Sequence, residues 1–251
     1  MMQKRQPTFS KQGYTDVLTN AQLLGYRFIG FGDMHVANDD NKYCLMRHDV
    51  DTSLKCALEM SEIEYSLGIK ATYFFMLRSP GYNLFGRYAY QVLSRIKEMG
   101  HEIALHFDAA HPAVDGKHLV KEVESELGIL SRLSGQKIHA VSFHQPSPFI
   151  LKGDTLIPGV VNTYNKEQMQ EWYYTSDSNR VWKEHNALSV FDCMQYQRIQ
   201  ILVHPIWWIC EEPIIEDAWD HAVTDNFYIM QQQFLDTEGA YGSARSFIVK
   251  R

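Results

Sequence analysis

The chemistry-bearing residues of this 251-residue chain stand where apolar runs stop. Residues 43–51, YCLMRHDVD, form one such run, ending in Arg47, His48, Asp49 and Asp51. Side chains alternate in direction along an extended strand, so Asp49 and Asp51 leave on the same side as a carboxylate pair. Two ionised carboxylates so close repel each other, and a bound cation or a shared proton relieves the repulsion. Asp51 can also cap the helix that DTSLKCALEM begins, and the two duties can coexist. Three further runs end alike: HEIALHF carries His106 with Asp108 just beyond, KIHAVSFH ends at His144, and RIQILVH ends at His204. Nitrogen and oxygen donors of this kind suit a zinc-like divalent ion, which takes three protein ligands and keeps an open position when it is catalytic. Asp51, His106 and a third group meet that requirement. His111 follows five residues after His106, a spacing with no helix to fix its geometry.

These side chains need a scaffold that brings four strand ends together. After a helix-like stretch at residues 10–24 and a polar loop, FGDMHVANDDN, strands at 43–49, 70–76, 101–107 and 137–144 alternate with helices at 52–67, 84–99 and 117–133. Two short strand candidates, VVNTY and EWYYTS, precede the last clear strand at 198–204, and a long helix spans 214–235. Gly100 and Gly135 follow their helices as stops. Strands separated by helices favour a parallel α/β architecture, and catalytic-looking residues at the strand ends suit a barrel, whose active site lies on the face where those ends open. In HEIALHF, Glu102, Ala104 and His106 share a direction, so the small Ala104 leaves room inside with His106 at the rim. The reading is a distorted (β/α)7 barrel: residues 1–42 as an N-terminal helix and capping loop, 43–236 as one barrel domain, and 237–251 as a tail. Asp33, His35, Asp39 and Asp40 of the polar loop could reach the site or simply be solvated.

Composition sets outer limits. Hydrophobic residues make up 45% and charged residues 22%, in line with a folded globular domain. A net charge of −6 and no basic run argue against a nucleic-acid partner. No h-region follows the N-terminus and no 18 apolar residues run together, so the chain reads as soluble, unexported and cytoplasmic, without a membrane span. Cys44, Cys56, Cys193 and Cys210 lack CxxC spacing and read as reduced, buried thiols.

Five segments taken in order resemble the motifs of the polysaccharide deacetylase superfamily, the NodB-homology or carbohydrate esterase family 4 fold, in its branch with an LRHDVD-type first motif. The resemblance covers about residues 43–208. It implies that Asp49 of RHDVD is the general base and Asp51 a metal ligand. GHEIALHFDAAH resembles the second motif and implies His106 as a ligand, with His111 or Asp108 to complete the site. SFHQPS stands where the family has an Arg-Pro motif, with His144 replacing the arginine, so His144 could orient Asp49, touch substrate or join the metal. YTSDSNRVW resembles the fourth motif, implying that Asp177 and Trp182 tune and wall the site. ILVHPIWW resembles the fifth and implies His204 as general acid, with Trp207 beside it. Arg47, His48 and Trp207 are supporting or substrate-binding candidates, although Arg47 could be no more than an ion-pair partner of Asp49 or Asp177, and the tryptophans could be packing.

The function so implied is metal-dependent removal of an N-acetyl group from an amino sugar, with zinc, or else cobalt or nickel, as cofactor. Without an export signal the expected substrate is a nucleotide- or lipid-linked sugar of surface-polysaccharide synthesis. A cyclic-amide hydrolase and a non-catalytic saccharide- or partner-binding barrel are the alternatives. Tyr73, Phe74 and Phe75 read as core.

Overall fold

A computed structural model describes residues 6–110, 116–182 and 185–242. The chain opens with α1 (Lys11–Leu23), whose first turn is closed by Ser10 Oγ accepting from the Gly13 N–H at 3.0 Å. Strand β1 (Tyr26–Ile29) follows, an element the sequence reading did not assign. Next come a 3-10 turn over Phe31–Val36, strand β2 (Lys42–Val50) and helix α2 (Leu54–Ser66). The cap of α2 is Ser53, whose Oγ accepts from the Cys56 N–H at 3.2 Å. Asp51 therefore carries no capping duty.

The remaining strands are β3 (Thr72–Phe75), β4 (Glu102–Asp108), β5 (Ala140–His144), β6 (Val161–Asn162), β7 (Tyr173–Ser176) and β8 (Arg198–Val203). Helices α3 (Arg87–Glu98), α4 (Gly116–Ser134), the short α5 (Pro148–Leu151), α6 (Lys166–Met169), α7 (Ala187–Asp192) and α8 (Pro205–Ile209), and the long α9 (Ile215–Thr237), separate or follow them. Every strand pairing is parallel, in the order β6-β5-β4-β3-β2-β8-β7. Seven strands curl into an open, distorted (β/α)7 barrel with β6 and β7 at its edges. One edge of β2 is shared: β1 pairs with Lys42 to Leu45, and β3 takes over from Arg47 onward. The boundary read at residue 42 thus runs between two hydrogen-bonded strands.

Alternation divides the apolar residues into two cores. Outward residues Cys44, Met46, Val50, Tyr73, Phe75, Leu105, Val141, Ile199 and Ile201 pack beneath the helices in the larger core. Inward residues Tyr43, Leu45, Phe74, Ala104 and Ala140 form a smaller one inside the sheet, stoppered by Ile29, Phe31 and Trp172. Tyr43, Leu45, Ala104 and Ala140 occupy the N-terminal halves of their strands, while Phe74 lies level with Asp49. The C-terminal halves carry Arg47, Asp49, His106, Ser142 and His144 inward instead. The barrel interior is mainly apolar below the site and polar at the top.

The loop residue Asp33 lies at the bottom, paired with Lys70 at 2.6 Å, and Lys70 also meets Glu102 at 3.0 Å. This corrects the option that Asp33 reaches the site, because it precedes β2 and so sits at the N-terminal mouth. Most of the tail read at 237–251 lies outside the described residues. No helix among the described residues is long and apolar enough to cross a membrane.

On the outer face of β2, directly behind the carboxylates, lies a buried polar cluster. Glu64 of α2 accepts from Tyr14 Oη at 2.6 Å, Tyr73 Oη at 2.5 Å and His48 Nε2 at 2.6 Å. Burial pushes the Glu64 carboxyl up, but His48 and the hydrogen bonds outweigh it and hold it below its ordinary 4.5. A carboxyl depressed on folding stabilises the protein above its unfolded value, and that stabilisation is lost as pH falls through the folded one. Glu64→Gln is therefore expected to destabilise the chain by about 1–3 kcal/mol at neutral pH, the cost of leaving a buried donor without its acceptor where three donors faced one carboxylate. Denaturant titrations at pH 7 and pH 3 check this, and the gap should shrink below pH 4.5.

Candidate metal and active site

The polar end of the barrel is built from one or two inward side chains per strand. β2 delivers Arg47 and Asp49, with Asp51 one residue beyond its end; β4 delivers His106, and β5 delivers Ser142 and His144. Asp177 follows β7 and His204 follows β8. Residue Asp51 is the hub. Its Oδ1 lies 3.1 Å from His106 Nε2 and 3.4 Å from His144 Nδ1, and its Oδ2 lies 3.8 Å from His204 Nε2. Asp51, His144 and His204 are the members open to solvent, with side chains 18%, 26% and 16% exposed. Burial raises the Asp51 carboxyl, yet the surrounding imidazoles hold it well below the usual carboxylate range.

Asp51, His106 and His144 can each present one ligand atom, all within 4.8 Å of one another. Asp51 Oδ1 is buried and makes no hydrogen bond of acceptable geometry, despite two nitrogens close by. Three donor atoms near one another but not hydrogen-bonded, one oxygen and two nitrogens, fit a divalent transition ion such as zinc. Ser142 prepares His106 for that role: its Oγ lies 2.7 Å from His106 Nδ1 and 3.4 Å from Asp49 Oδ1. With Nδ1–H donated to Ser142 and the Ser142 hydroxyl donated to Asp49, His106 Nε2 is left with its lone pair toward Asp51. Ser142→Ala is expected to weaken zinc binding by about 10- to 100-fold with little change in unfolding temperature, as read by calorimetric titration and a thermal melt.

Asp49 is held from the rear. Arg47 Nε and Nη2 donate to its two oxygens, each at 2.8 Å, and the pair is buried. The guanidinium lies over the Phe74 ring at 5.3 Å and the Tyr164 ring at 5.4 Å. Burial opposes ionisation of Asp49, but Arg47, with His106 beside it, brings the carboxyl below its ordinary value. Asp49 Oδ2 remains 3.6 Å from His106 Nε2. A cavity of about 10 Å³ between Asp49, Asp51 and His204 has room for roughly one water.

On the far side of Asp51, His204 is oriented by Asp177. The carboxylate accepts from His204 Nδ1 at 2.7 Å, from the His204 backbone N–H at 3.1 Å and from Trp208 Nε1 at 2.8 Å. Burial lowers the His204 pKa, but the Asp177 hydrogen bond and charge prevail and push it up to about 9. His204 thus stands protonated at neutral pH with Nε2 toward Asp51.

Several sequence-predicted residues lie elsewhere. His48 is fully buried on the outer face of β2 against Glu64, because alternation turns it away from Asp49. This corrects its reading as a substrate or supporting contact at the site. Asp108 accepts from the Ala110 N–H at 3.0 Å and is not in the ligand cluster, where His144 is the third member among the described residues. His111 lies outside the described residues. Trp182 stacks on Phe9 at 6.4 Å and meets Trp208 at 6.5 Å, behind Asp177. Trp207 is buried with its ring 6.5 Å from that of His204. Sequence reasoning missed Ser142, although its place two residues before His144 puts both on one strand face. It also missed Tyr164, which carries no signal short of the fold.

No family model matches the chain, and no curated protein matches it. Solved structures do. A CE4 family pseudoenzyme from Bacillus anthracis is 13% identical, with 75% of this chain and 62% of that chain covered and a TM-score of 0.44. The Streptococcus pyogenes deacetylase PplD, solved in complex with acetate, is 11% identical over 76% of this chain and 90% of that one, at a TM-score of 0.49. A family 4 carbohydrate esterase from Bacillus anthracis is 17% identical over 86% and 85%, at 0.36. The chain spans 62% of the length of the pseudoenzyme. It is thus similar to proteins described as a deacetylase, a carbohydrate esterase and a pseudoenzyme.

Proposed function

We propose that this chain is a metal-dependent hydrolase that removes an N-acetyl group from an amino sugar. The observation that carries the reading is the position of Asp51, with two candidate imidazole ligands on one side and His204, anchored by Asp177, on the other. Asp51, His106 and His144 would hold the ion. A divalent cation held there would supply Lewis acidity toward the amide carbonyl and the attacking water. Asp49, at the wall of the one-water cavity, takes the proton from that water. His204, held by Asp177, gives its Nε2 proton to the departing amine nitrogen, and each such transfer contributes about 10²–10⁴ in rate. The motif resemblance supports Asp49, Asp51, His106 and His204 in these roles, whereas the use of His144 as third ligand rests on the donor cluster alone.

The substrate class we favour is a nucleotide- or lipid-linked amino sugar of surface-polysaccharide synthesis, acted on in the cytoplasm. Acetate release from N-acetylglucosamine, its oligomers and its nucleotide-linked form, with and without added zinc, cobalt or nickel, tests the proposal. Expected are one ion per chain, activity lost on chelation with the fold retained, and no stoichiometric binding in Asp51→Ala. One observation favours a non-catalytic saccharide-binding barrel as the second reading: both oxygens of Asp49 are engaged by Arg47, which weakens it as a base. One bound ion and measurable saccharide affinity without acetate release would establish that reading instead.

A further inference from the structure

Two thiols lie together outside the metal and proton-transfer groups. Cys56 Sγ and Cys210 Sγ are 3.7 Å apart, both free and both buried, although the residues are far apart in the chain. Cys56 sits in the first turn of α2, its N–H bonded to the capping Ser53. Cys210 closes α8 as its C-cap. The positive end of a helix dipole favours a thiolate at Cys56, and the neighbouring Cys210 S–H can donate to it. In keeping with this arrangement, the Cys210 contact lowers the Cys56 thiol against an opposing effect of burial, and Cys210 is pushed up. The sulfurs need to approach by less than about 2 Å to reach bonding distance.

We propose that Cys56 and Cys210 are a paired oxidation site, converted by a small peroxide into a disulfide that ties the start of α2 to the end of α8. A small oxidant is specified because the residues are only 1% and 6% exposed. The Cys56 thiolate attacks one peroxide oxygen, the O–O bond breaks, and hydroxide leaves and is protonated to water, giving a sulfenic acid. The Cys210 sulfur then attacks the Cys56 sulfur, the S–O bond breaks, and a second water leaves with the Cys210 proton. Two thiols lose two electrons and one hydrogen peroxide becomes two waters. The bond would join the segments that leave the site, since α2 begins shortly after Asp51 and α8 begins directly after His204. Cys193, less buried and with its Sγ donating to the Val190 carbonyl at 3.2 Å, is the internal control.

The test is to treat the full chain with excess hydrogen peroxide, alkylate remaining thiols in denaturant, and analyse a non-reducing digest by mass spectrometry. Expected is one cross-linked peptide pair holding Cys56 and Cys210, lighter by two hydrogens than the two thiol peptides and released by dithiothreitol. In Cys210→Ala, and in Cys210→Ser should that variant fold better, Cys56 should instead be trapped by dimedone as a sulfenic acid. Recovery of both cysteines as alkylated thiols, sulfinic acid at Cys56 without a cross-link, or oxidation confined to Cys193 would each overturn the proposal. None of these readouts depends on acetate release, so the outcome is separable from that of the proposed hydrolysis.

Discussion

Asp49→Asn is expected to lower turnover on an N-acetylated amino sugar by about 10² or more at saturating metal, because the amide cannot accept the water's proton. Metal should still bind through Asp51, His106 and His144, with some loss of affinity from the missing nearby charge. The geometry adds a second effect through Arg47. Asn places an amide against a buried guanidinium that now donates to both carboxylate oxygens, leaving Arg47 short of its charge partner. Breaking such a pair from one side costs about 3–5 kcal/mol, so the variant should also unfold at lower denaturant. Turnover per folded molecule, corrected by the melting curve, is the quantity to compare. Full activity in that comparison, on a sugar the wild type hydrolyses, would remove Asp49 from the base role.

A pH-dependent loss is expected from Asp177→Asn. His204 is pushed up to about 9, chiefly by the Asp177 hydrogen bond and charge overcoming burial, so the proton donor persists through neutral pH. Activity should decline on the alkaline side near pH 9 in the wild type. In Asp177→Asn that limb should move down by about one to two pH units, so that kcat near pH 8 falls by roughly 2- to 10-fold from the lost proton while the rate well below the new pKa is retained. A raised imidazole pKa also stabilises the fold, fully below the ordinary 6.5 and decreasingly as pH rises through about 9. Melts of the metal-free proteins should therefore differ more at pH 6 than at pH 10. An unchanged alkaline limb in an active Asp177→Asn variant would show that another group supplies the proton.

Much of this arrangement could be read from the chain because the signals were local. The strand runs carrying His106, His144 and His204 stop close to where hydrogen-bonded strands stop, and the glycine stops bound the helices, whereas the cap of α2 is Ser53 and not the Asp51 the sequence suggested. Alternation paired Asp49 with Asp51, and the same alternation places His48 on the opposite face. His48 was mistaken for a site residue because adjacency in sequence is opposition in a strand. Strand β1 escaped notice since four residues, YRFI, show too little periodicity to separate from a loop. Arg47 could be seen as a partner of Asp49, but its bidentate grip, and the use of His144 beside Asp51, depend on β2, β4 and β5 meeting at a register no local pattern encodes.

The place of β2 in the sheet also bears on how the molecule comes into being. One flank of that strand pairs with β8, Tyr43 against Arg198 through His48 against Val203. At ordinary synthesis rates roughly ten seconds or more separate the emergence of these partners, whose separation is roughly 150 residues. Until then the strand bearing both candidate carboxylates presents an unpaired edge, and parallel pairings between distant segments form slowly. A nascent chain released before β8 lacks His204 and the cover for that edge together. Incomplete products should be inactive and prone to aggregate, and the last strand to arrive both completes the chemistry and closes the molecule's most vulnerable flank.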